Sequence, residues 1–493
     1  MSSQLEASET TPLLPTSSAQ LENNSSVLPS VKPVADRLRR EGVQFVNDVS
    51  SGELTLAQRT AFGIIVLAEL CRASPPTSRH SEGVWDLWSS AVAAAEASAL
   101  AEKQLIHMWT AFFSEPRTMS EIHQLFFQEF PVDEGNSASI RVADCYDILP
   151  SGVVKHAMFT LSMSHFWKNG PYAADLTSRP LLDRVLNKFD NRATPRVLHS
   201  LDLLLNLVYI WLLCLFALSP PPQGSEASPQ PLTLQAWLLI VYSLSQALRQ
   251  WSILSVPYWL AFSAALLSGT STMLFQDIGY SLLLCALSIQ ILQLHLTFSP
   301  SPMFLFPAAY TLPLATVLWH GVSRIFFPVT VFFLPALLLT IFLLSVSLGD
   351  VLPFLSTASN VASPLEMRSA LAILFVILFA LLICSLVILI LVYPSTSSRS
   401  PPVSAWDRYS DSIGENARRV FARSVVFYSS PYLFLPPFNL LHILFVRLPG
   451  LISSTFCKHS RAEAWTLERV LWRLTVGVLA CLVSCLWNFN MIS

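Results

Sequence analysis

Two acidic residues border the most apolar part of the chain and could act on ions there. Asp350 and Glu366 bracket a loop, residues 349–367, between two strongly hydrophobic segments. Charge in or beside a membrane is costly and usually serves a function. In a symmetric oligomer, one carboxylate from each subunit would form a ring of negative charge that concentrates cations. The position predicts Asp350 as the first candidate for a cation-selective pore mouth and Glu366 as the second.

Two features of the same loop bear on that prediction. Arg368 follows Glu366 by two residues and can pair with it, so Glu366 ranks second. The loop from 349 to 367 is short for a pore helix with a filter, and it lacks a TVGYG-like run of carbonyl donors. An ordinary lumenal loop is therefore the alternative interpretation.

Hydrophobic helices must position these acids, because the region around them contains few charges. The 194 residues from 200 to 393 include only 8 charged residues and no lysine. Over the whole chain 13% of residues are charged, against about 25% in soluble proteins. The pattern predicts a transmembrane domain over 199–393.

Helical segments are the expected form of this domain. Only helices and closed barrels satisfy their backbone groups in lipid, and continuous apolar runs exclude a barrel. A span needs about 20 apolar residues. Apolar segments lie at about 200–218, 233–249, 253–274, 279–298, 303–319, 325–347 and 369–393.

Charge at the two ends of the domain predicts its orientation. Basic residues precede the first segment and follow the last, which favours a cytosolic position for both flanks and an even number of crossings. Six to seven segments are then possible, with one of the seven failing to cross. The segment at 303–319 is the first candidate because it is short and contains Pro307 and Pro313. The segment at 233–249 is the alternative.

Four other charges lie at segment ends, where an interfacial position explains them. They are Asp202, Arg249, Asp277 and Arg324.

The N-terminal part of the chain divides into two predicted regions. Residues 1–30 are polar and rich in Ser, Thr, Asn and Pro, which is typical of a disordered tail. Residues 31–198 predict a helical cytosolic domain. Within it, Thr55 to Gln58 and Thr118 to Glu121 fit capping boxes at helix starts.

Residues 394–493 predict a linker, an amphipathic helix over 406–428 and two apolar pieces. The piece at about 433–452 contains prolines and an arginine and favours an interfacial position, whereas the piece at about 471–489 could span. The predicted fold class is therefore all-α: a polytopic helical membrane protein with a helical cytosolic N-terminal domain and a cytosolic C-terminal amphipathic region.

Motifs for catalysis or cofactor binding do not stand out. There is no GxSxG elbow, glycine-rich phosphate loop or HExxH, and the 8 cysteines are scattered without a CxxC pair. The sequence predicts no catalytic residues, no metal site and no cofactor, and hence no enzyme. The net charge of −2 argues against nucleic-acid binding.

The C-terminal region carries a family resemblance. Residues 409–411, 417–426 and especially the run 430–441, with Pro436, Pro437, Phe438, Asn439 and Leu440, resemble the segment after the last pore helix of fungal vacuolar TRP-type cation channels. The match is specific over residues 409–441 and architectural elsewhere. It implies a TRP-like cation channel or channel subunit of the vacuolar membrane, in contact with membrane lipid and assembled as a homo-oligomer, a tetramer if it conducts.

Departures from that family keep a second hypothesis open. The last core helix, residues 371–392, lacks the Asn-containing end found in the family, and the pore loop is short. The alternative is a non-conducting polytopic scaffold or modulator derived from the family.

A sorting motif lies in the N-terminal tail. Glu9, Leu13 and Leu14 fit the acidic dileucine pattern, in which two leucines fill an adaptor pocket and the acid meets a basic patch. The motif predicts a sorting adaptor as a partner and a vacuolar membrane as the destination.

Overall fold

The structure is a computed structural model in which most of the described residues are helical. Among the described residues, sheet is confined to an antiparallel pair of short strands, β1 (Phe130–Pro131) and β2 (Ser139–Ile140). The predicted all-α fold class is confirmed. The described residues are 28–41, 54–72, 83–133, 138–171, 186, 189–218, 232–249, 255–267, 273–294, 300–321, 404–430, 432–449 and 461–488.

The first compact unit lies within residues 1–150. Its core is built on α2, which packs against the other helices of the unit and buries most of its length. Phe62, Trp109 and Phe126 are fully buried in this core. The helices are α1 (Val31–Glu41), α2 (Leu56–Arg72), α3 (Val84–Phe112) and α4 (Met119–Phe127).

The two capping boxes predicted in this unit are confirmed. Thr118 accepts a hydrogen bond from the backbone N–H of Glu121, and the Glu121 carboxylate accepts one from the backbone N–H of Thr118. Thr55 and Gln58 make the same reciprocal pair, at 3.0 and 3.3 Å. These bonds satisfy donors that a helix start leaves unpaired.

The second compact unit lies within residues 151–493. Its first helices are α5 (Ser151–Val154), α6 (Ala157–Asn169), α7 (Pro195–Leu218), α8 (Leu234–Arg249), α9 (Val256–Leu267) and α10 (Met273–Leu294). They are followed by α11 (Ala308–Gly321), α12 (Asp411–Tyr428), α13 (Asn439–His442, extended by a π-helical turn at Ile443–Arg447), α14 (Arg461–Trp472, extended by a π-helical turn at Arg473–Gly477) and α15 (Val478–Asn488).

The helices α7 to α10 pack around a common core, each against the next in sequence and α10 against α7. Three tyrosines stack at its centre, with ring centroids of Tyr209 5.3 Å from Tyr242 and 5.6 Å from Tyr258. Their hydroxyls are satisfied inside the bundle, for example Tyr209 by Ser243 at 3.2 Å. A polar interior of this kind fixes one arrangement of the helices, because each buried polar group needs its partner.

Two described helices are long and apolar enough to cross a membrane, Pro195–Leu218 and Leu467–Trp487. Shorter apolar helices occur at Val256–Leu267 and Gly279–Ile291.

Helix α11 corresponds to the apolar segment at 303–319 and lies along α12, the amphipathic helix. At one end, His320 is 3.1 Å from Asn416 of α12. Shortly before the other end, the ring of Phe304 packs against Trp167 at 5.8 Å between centroids, and Trp167 in turn contacts Phe421 of α12. Because α12 is amphipathic, we expect its neighbour α11 to lie at the membrane boundary. That the segment at 303–319 does not cross stays a prediction.

The compact units divide between Pro150 and Ser151, whereas the sequence pattern starts the transmembrane domain at 199. Packing and membrane entry are different properties, so the predicted domain bounds remain a prediction. The segments at 325–347 and 369–393 and the loop at 349–367 lie outside the described residues.

This arrangement yields a topological prediction. Protease-cleavable tags inserted before Ser200 and beside Ser412 should both be cut in intact organelles. The reason is that the start of α7 and the helices α11 and α12 are predicted to lie at the cytosolic membrane face. Protease protection measured by immunoblot checks this result, with a lumenal marker protein as the control. Protection of either tag would contradict the even number of crossings.

Candidate coupling site at the base of the helix bundle

A buried ion pair joins the first two helices of the bundle. The guanidinium of Arg249 donates two hydrogen bonds to the carboxylate of Asp202, both at 2.7 Å. The side chains are 0% exposed for Asp202 and 8% exposed for Arg249. Bidentate geometry of this kind is the strong form of the interaction.

The amphipathic helix α12 ends on this ion pair. The hydroxyl of Tyr428 donates a hydrogen bond to the carboxylate of Asp202 at 2.7 Å, and the Arg249 guanidinium lies 5.2 Å from the ring of Phe427. The last turn of α12 therefore contacts both charged groups. We call Asp202, Arg249 and Tyr428 the anchor cluster.

The local sequence explains why these three groups meet. Asp202 is the eighth residue of α7 and Arg249 is the last residue of α8. Because consecutive helices joined by a connection can pack antiparallel, the start of α7 and the end of α8 fall at the same end of the bundle. Tyr428 is the last residue of α12, and it contacts the pair at that same end of the bundle.

Because the anchor cluster is buried, its stability depends on the presence of all three side chains. A paired buried charge is tolerable, but removing one partner leaves the other uncompensated and costs about 3–5 kcal/mol. A hydrogen bond to a charged group contributes roughly 1.5–3 kcal/mol. The contact between α12 and the bundle is thus sensitive to each of its three members.

Aromatic rings surround the anchor cluster on the side of α6. The imidazole of His199 has its centroid 5.4 Å from Trp167, 5.0 Å from Phe304 and 5.2 Å from Tyr428. Its Nε2 is 2.9 Å from the carbonyl oxygen of Ser301, which requires that this nitrogen carries the proton. His199 therefore links α6, the residues preceding α11 and the last residue of α12 at one point.

The family-like run 436–440 forms a second attachment to the bundle. Asn439 donates a hydrogen bond from Nδ2 to the carbonyl oxygen of Ser245 at 2.8 Å, and its Oδ1 accepts one from the Ser245 hydroxyl. The carbonyl oxygen of Pro436 is 3.5 Å from the hydroxyl of Tyr242. Both partners belong to α8, one turn or two before Arg249.

The remaining residues of the run shape the turn that presents Asn439. The backbone N–H of Phe438 donates to the carbonyl of Leu435 at 2.8 Å, and that of Leu440 donates to Pro437 at 3.3 Å. Asn439 itself is buried. The run thus attaches to α8 through the buried side chain of Asn439 and is not a surface motif.

A third contact fastens the start of α12 to the residues before it. Arg418 donates to both carboxylate oxygens of Asp407, at 2.8 and 2.7 Å, and to the hydroxyl of Ser404 at 2.9 Å. Burial opposes ionisation of Asp407, but the hydrogen bonds from Arg418 and Ser404 outweigh burial and hold its pKa below the usual value.

Gly414 permits this close approach. A side chain at that position would clash with Asp407 and come within 2.8 Å of the carbonyl oxygen of Trp406. The turn at Ala405–Asp407 can therefore press against α12 only where the helix presents a glycine.

A cavity of about 340 Å³ opens beside Tyr428. Its one acidic lining residue, Asp190, already accepts hydrogen bonds from Arg473 at 2.6 and 2.8 Å and from Arg469 at 3.2 Å. The cavity accordingly presents hydroxyl, amide and aromatic groups, and it specifies no ion. Among the described residues, no group of His, Cys, Asp or Glu could hold a metal.

The residues predicted from sequence are distributed unevenly around this site. The run 436–440 lies within it, whereas Asp350, Glu366 and the sorting residues Glu9, Leu13 and Leu14 lie outside the described residues. Asp202 and Arg249 lie near segment ends, as the sequence pattern predicted, and the structure adds that they form a buried pair. The signal was present, since opposite charges at the start of one span and the end of the next can meet.

Comparison with solved structures shows a distant likeness. No family model and no curated protein matches the sequence. Among solved structures, the chain is similar to the thermo-sensitive TRP channel TRP1 of the alga Chlamydomonas reinhardtii, determined by cryo-EM in nanodiscs. The identity is 13%, the match covers 93% of this chain and 78% of that chain, and the TM-score is 0.37. At these values the likeness assigns no function, so the function proposed below rests on contacts within this chain.

The anchor cluster makes a stability prediction. Replacing Asp202 by Ala should destabilise the protein by about 3–5 kcal/mol, because it leaves the Arg249 guanidinium buried and unpaired. The double variant Asp202→Leu with Arg249→Met should lose less, because no charge is left unpaired. Thermal unfolding in detergent, followed by size-exclusion chromatography, measures both.

Two controls sharpen this measurement. Tyr428→Phe should cost roughly 1.5–3 kcal/mol, since it removes one hydrogen bond to a charged group. Arg39→Ala, in an exposed pair with Asp36, should change the midpoint temperature of unfolding little. A midpoint for Asp202→Ala equal to that of the wild type would contradict the buried pair.

Proposed function

We propose that this protein is a TRP-like cation channel, or a subunit of one, in the vacuolar membrane. The carrying observation is that the two stretches that flank residues 322–403 in the sequence lie side by side against the same helix, α12. Helix α11, which ends at Gly321, contacts both α12 and the turn at Ala405–Asp407.

The proximity of α11 and the turn at Ala405–Asp407 supports a pore module formed by residues 322–403. The intervening residues 322–403 contain the predicted apolar segments at 325–347 and 369–393 and the acids Asp350 and Glu366. A segment that begins and ends at one membrane face crosses an even number of times. Two crossings with an acidic loop between them is the simplest arrangement that 82 residues of this composition allow.

The attachments of α12 provide a mechanical connection that a channel would need. The helix that follows the predicted pore pair contacts α11 along its length and ends on the anchor cluster of the bundle. A displacement of α7 or α8 would therefore act on α12, and through it on the end of the predicted second pore helix. A channel needs such a mechanical connection between a surrounding bundle and its pore.

The alternative is a non-conducting scaffold or modulator of the same membrane. It is favoured by the short loop at 349–367, which lacks a recognisable run of carbonyl donors. The attachments of α12 fit both hypotheses, so only ionic current separates them.

The partners follow from the same proposal. A pore lined by one acid from each subunit requires a homo-oligomer, with a tetramer as the proposed form, and the apolar segments require membrane lipid. A sorting adaptor that binds Glu9, Leu13 and Leu14 would deliver the protein to the vacuole. No enzymatic role is proposed.

The test is patch recording of isolated vacuoles with and without the protein, comparing wild type with Asp350→Asn. If Asp350 lies at the pore mouth, the variant should show a lower cation-over-anion permeability ratio and a lower single-channel conductance at low salt. The conductance difference should shrink at 1 M salt, where screening acts over about 3 Å.

Three results divide the possibilities. The matched control Glu366→Gln should have a smaller effect, because Arg368 can cancel the field of Glu366. Wild-type conductance of Asp350→Asn at every salt concentration would remove Asp350 from the pore. The absence of current from a correctly delivered wild-type protein would favour the scaffold.

A further inference from the structure

We propose that the C-terminal helix, residues 461–488, lies within the cytosolic leaflet of the bilayer and does not cross it. By length and composition its Leu467–Trp487 part could cross, and the sequence pattern allowed the same interpretation. The contacts of the helix point to a different placement, and this inference does not depend on whether the protein conducts.

The contacts fix the level of the helix relative to α7. Arg473 is bonded to Asp190, five residues before α7 begins. A side chain at Gly477 would meet the ring of Phe189. The indole N–H of Trp487, near the end of the helix, donates to the hydroxyl of Ser200 at 3.2 Å.

Residues 473–487 of the C-terminal helix therefore contact residues 189–200. Residue 200 is only the sixth residue of the 24-residue helix α7. The C-terminal helix thus accompanies the approach to α7 and its first turns, and it ends where α7 begins to traverse the membrane.

The uncovered face of α7 gives independent support. Trp487 stacks on Arg196, with the guanidinium 3.5 Å from the ring centroid, and bonds Ser200. One and three turns further along the same helical face, Leu204 and Trp211 are exposed, at 54% and 60%. A C-terminal helix that spanned the bilayer beside α7 would cover these side chains.

An apolar stripe on the C-terminal helix faces away from the protein. Its members recur every three or four residues, which places them on one side of a helix. Trp472, Val476 and Ala480 lie on the opposite, buried side. The exposed stripe consists of Leu467, Val470, Leu474, Val478, Leu482 and Leu486.

Lipid is the occupant that fits this stripe. It consists of Leu and Val only, without the small residues that allow close approach of a second helix in a membrane. It ends beside Ser200, where the exposed apolar face of the candidate span α7 begins, so one continuous apolar surface results. Helix α13 adds exposed Leu444 and Phe445, and its end is joined to the C-terminal helix by His442 and Glu468 at 3.1 Å.

Charge at the edge of the stripe indicates which leaflet surface is bound. Arg192 and Arg447 are exposed beside these helices, and Arg469 and Arg473 share the single carboxylate of Asp190. Arginines at the level of the headgroups favour an anionic cytosolic leaflet. An amphipathic helix with this pattern lies in the plane of the interface.

Site-specific photocrosslinking in the full-length protein tests the occupant. A diazirine amino acid is placed at Leu474 or Leu482, with the buried Val476 as the matched control, in membranes that contain an alkyne-labelled phospholipid. Leu474 and Leu482 should capture severalfold more lipid than Val476. Retention of the wild-type elution volume on size-exclusion chromatography shows that each variant is folded.

Two other outcomes would overturn the proposal. A crosslinked band at twice the mass of the chain would assign the stripe to a second copy. Lipid capture no greater than at Val476 would mean that the stripe faces water or protein.

A tag placed after Ser493 tests the topology separately. In intact organelles external protease should remove this tag, as it removes one before Ser200, if the helix stays in the cytosolic leaflet. A protected tag would show that the helix crosses and would overturn the inference.

Discussion

The carboxylate of Asp202 and the guanidinium of Arg249 are both removed from water, and most of the second unit is organised around them. Charged groups in such a place must be paired, because the desolvation of an isolated ion costs several kcal/mol. The pair fixes α7 against α8, and the hydroxyl of Tyr428 brings α12 to the same point. The aromatic cluster at His199 then adds α6 and the residues before α11. One electrostatic requirement thereby determines where three separate stretches of the chain meet.

Helix α12 gains its position from attachments of different chemistry at its two ends. In its first half, Arg418 pairs with Asp407, whose close approach Gly414 permits. At its end, Tyr428 meets the ion pair, and the following run holds α8 through Asn439. A helix restrained at both ends moves as a rigid body. Under the proposed function, this property would let a rearrangement of the bundle reach the pore.

The sequence was sufficient to predict features with local causes. The capping boxes at Thr55 and Thr118 follow from residue types three positions apart. The prediction that α11 does not cross the membrane rests on two prolines and on parity in one short segment, and it stays a prediction. The pairing of Asp202 with Arg249 was not predicted, because each charge alone has a sufficient explanation at a membrane interface. Asn439 belonged to a recognisable run, but its partner Ser245 lies 194 residues away, and no local pattern identifies a partner at that distance.

The membrane placement of the C-terminal helix also could not be predicted from its sequence. Its apolar content satisfies the length criterion for a span, and composition alone cannot distinguish a helix that crosses a bilayer from one that lies in a leaflet. The distinction comes from which side chains are covered, and by what. Trp487 against Arg196 and Ser200 supplies that information.

The central claim is that the anchor cluster holds α12 against α11. The two ends of residues 322–403 are thereby kept close together. This claim is tested most directly by crosslinking His320→Cys to Asn416→Cys with a short bis-maleimide, after which a protease site engineered within residues 394–403 is cut. The account predicts that the two fragments remain joined in the otherwise wild-type chain and separate when Asp202→Asn is added, with each single-cysteine variant as the control. Fragments that separate in the otherwise wild-type chain, or that stay joined equally well with Asp202→Asn, would contradict it.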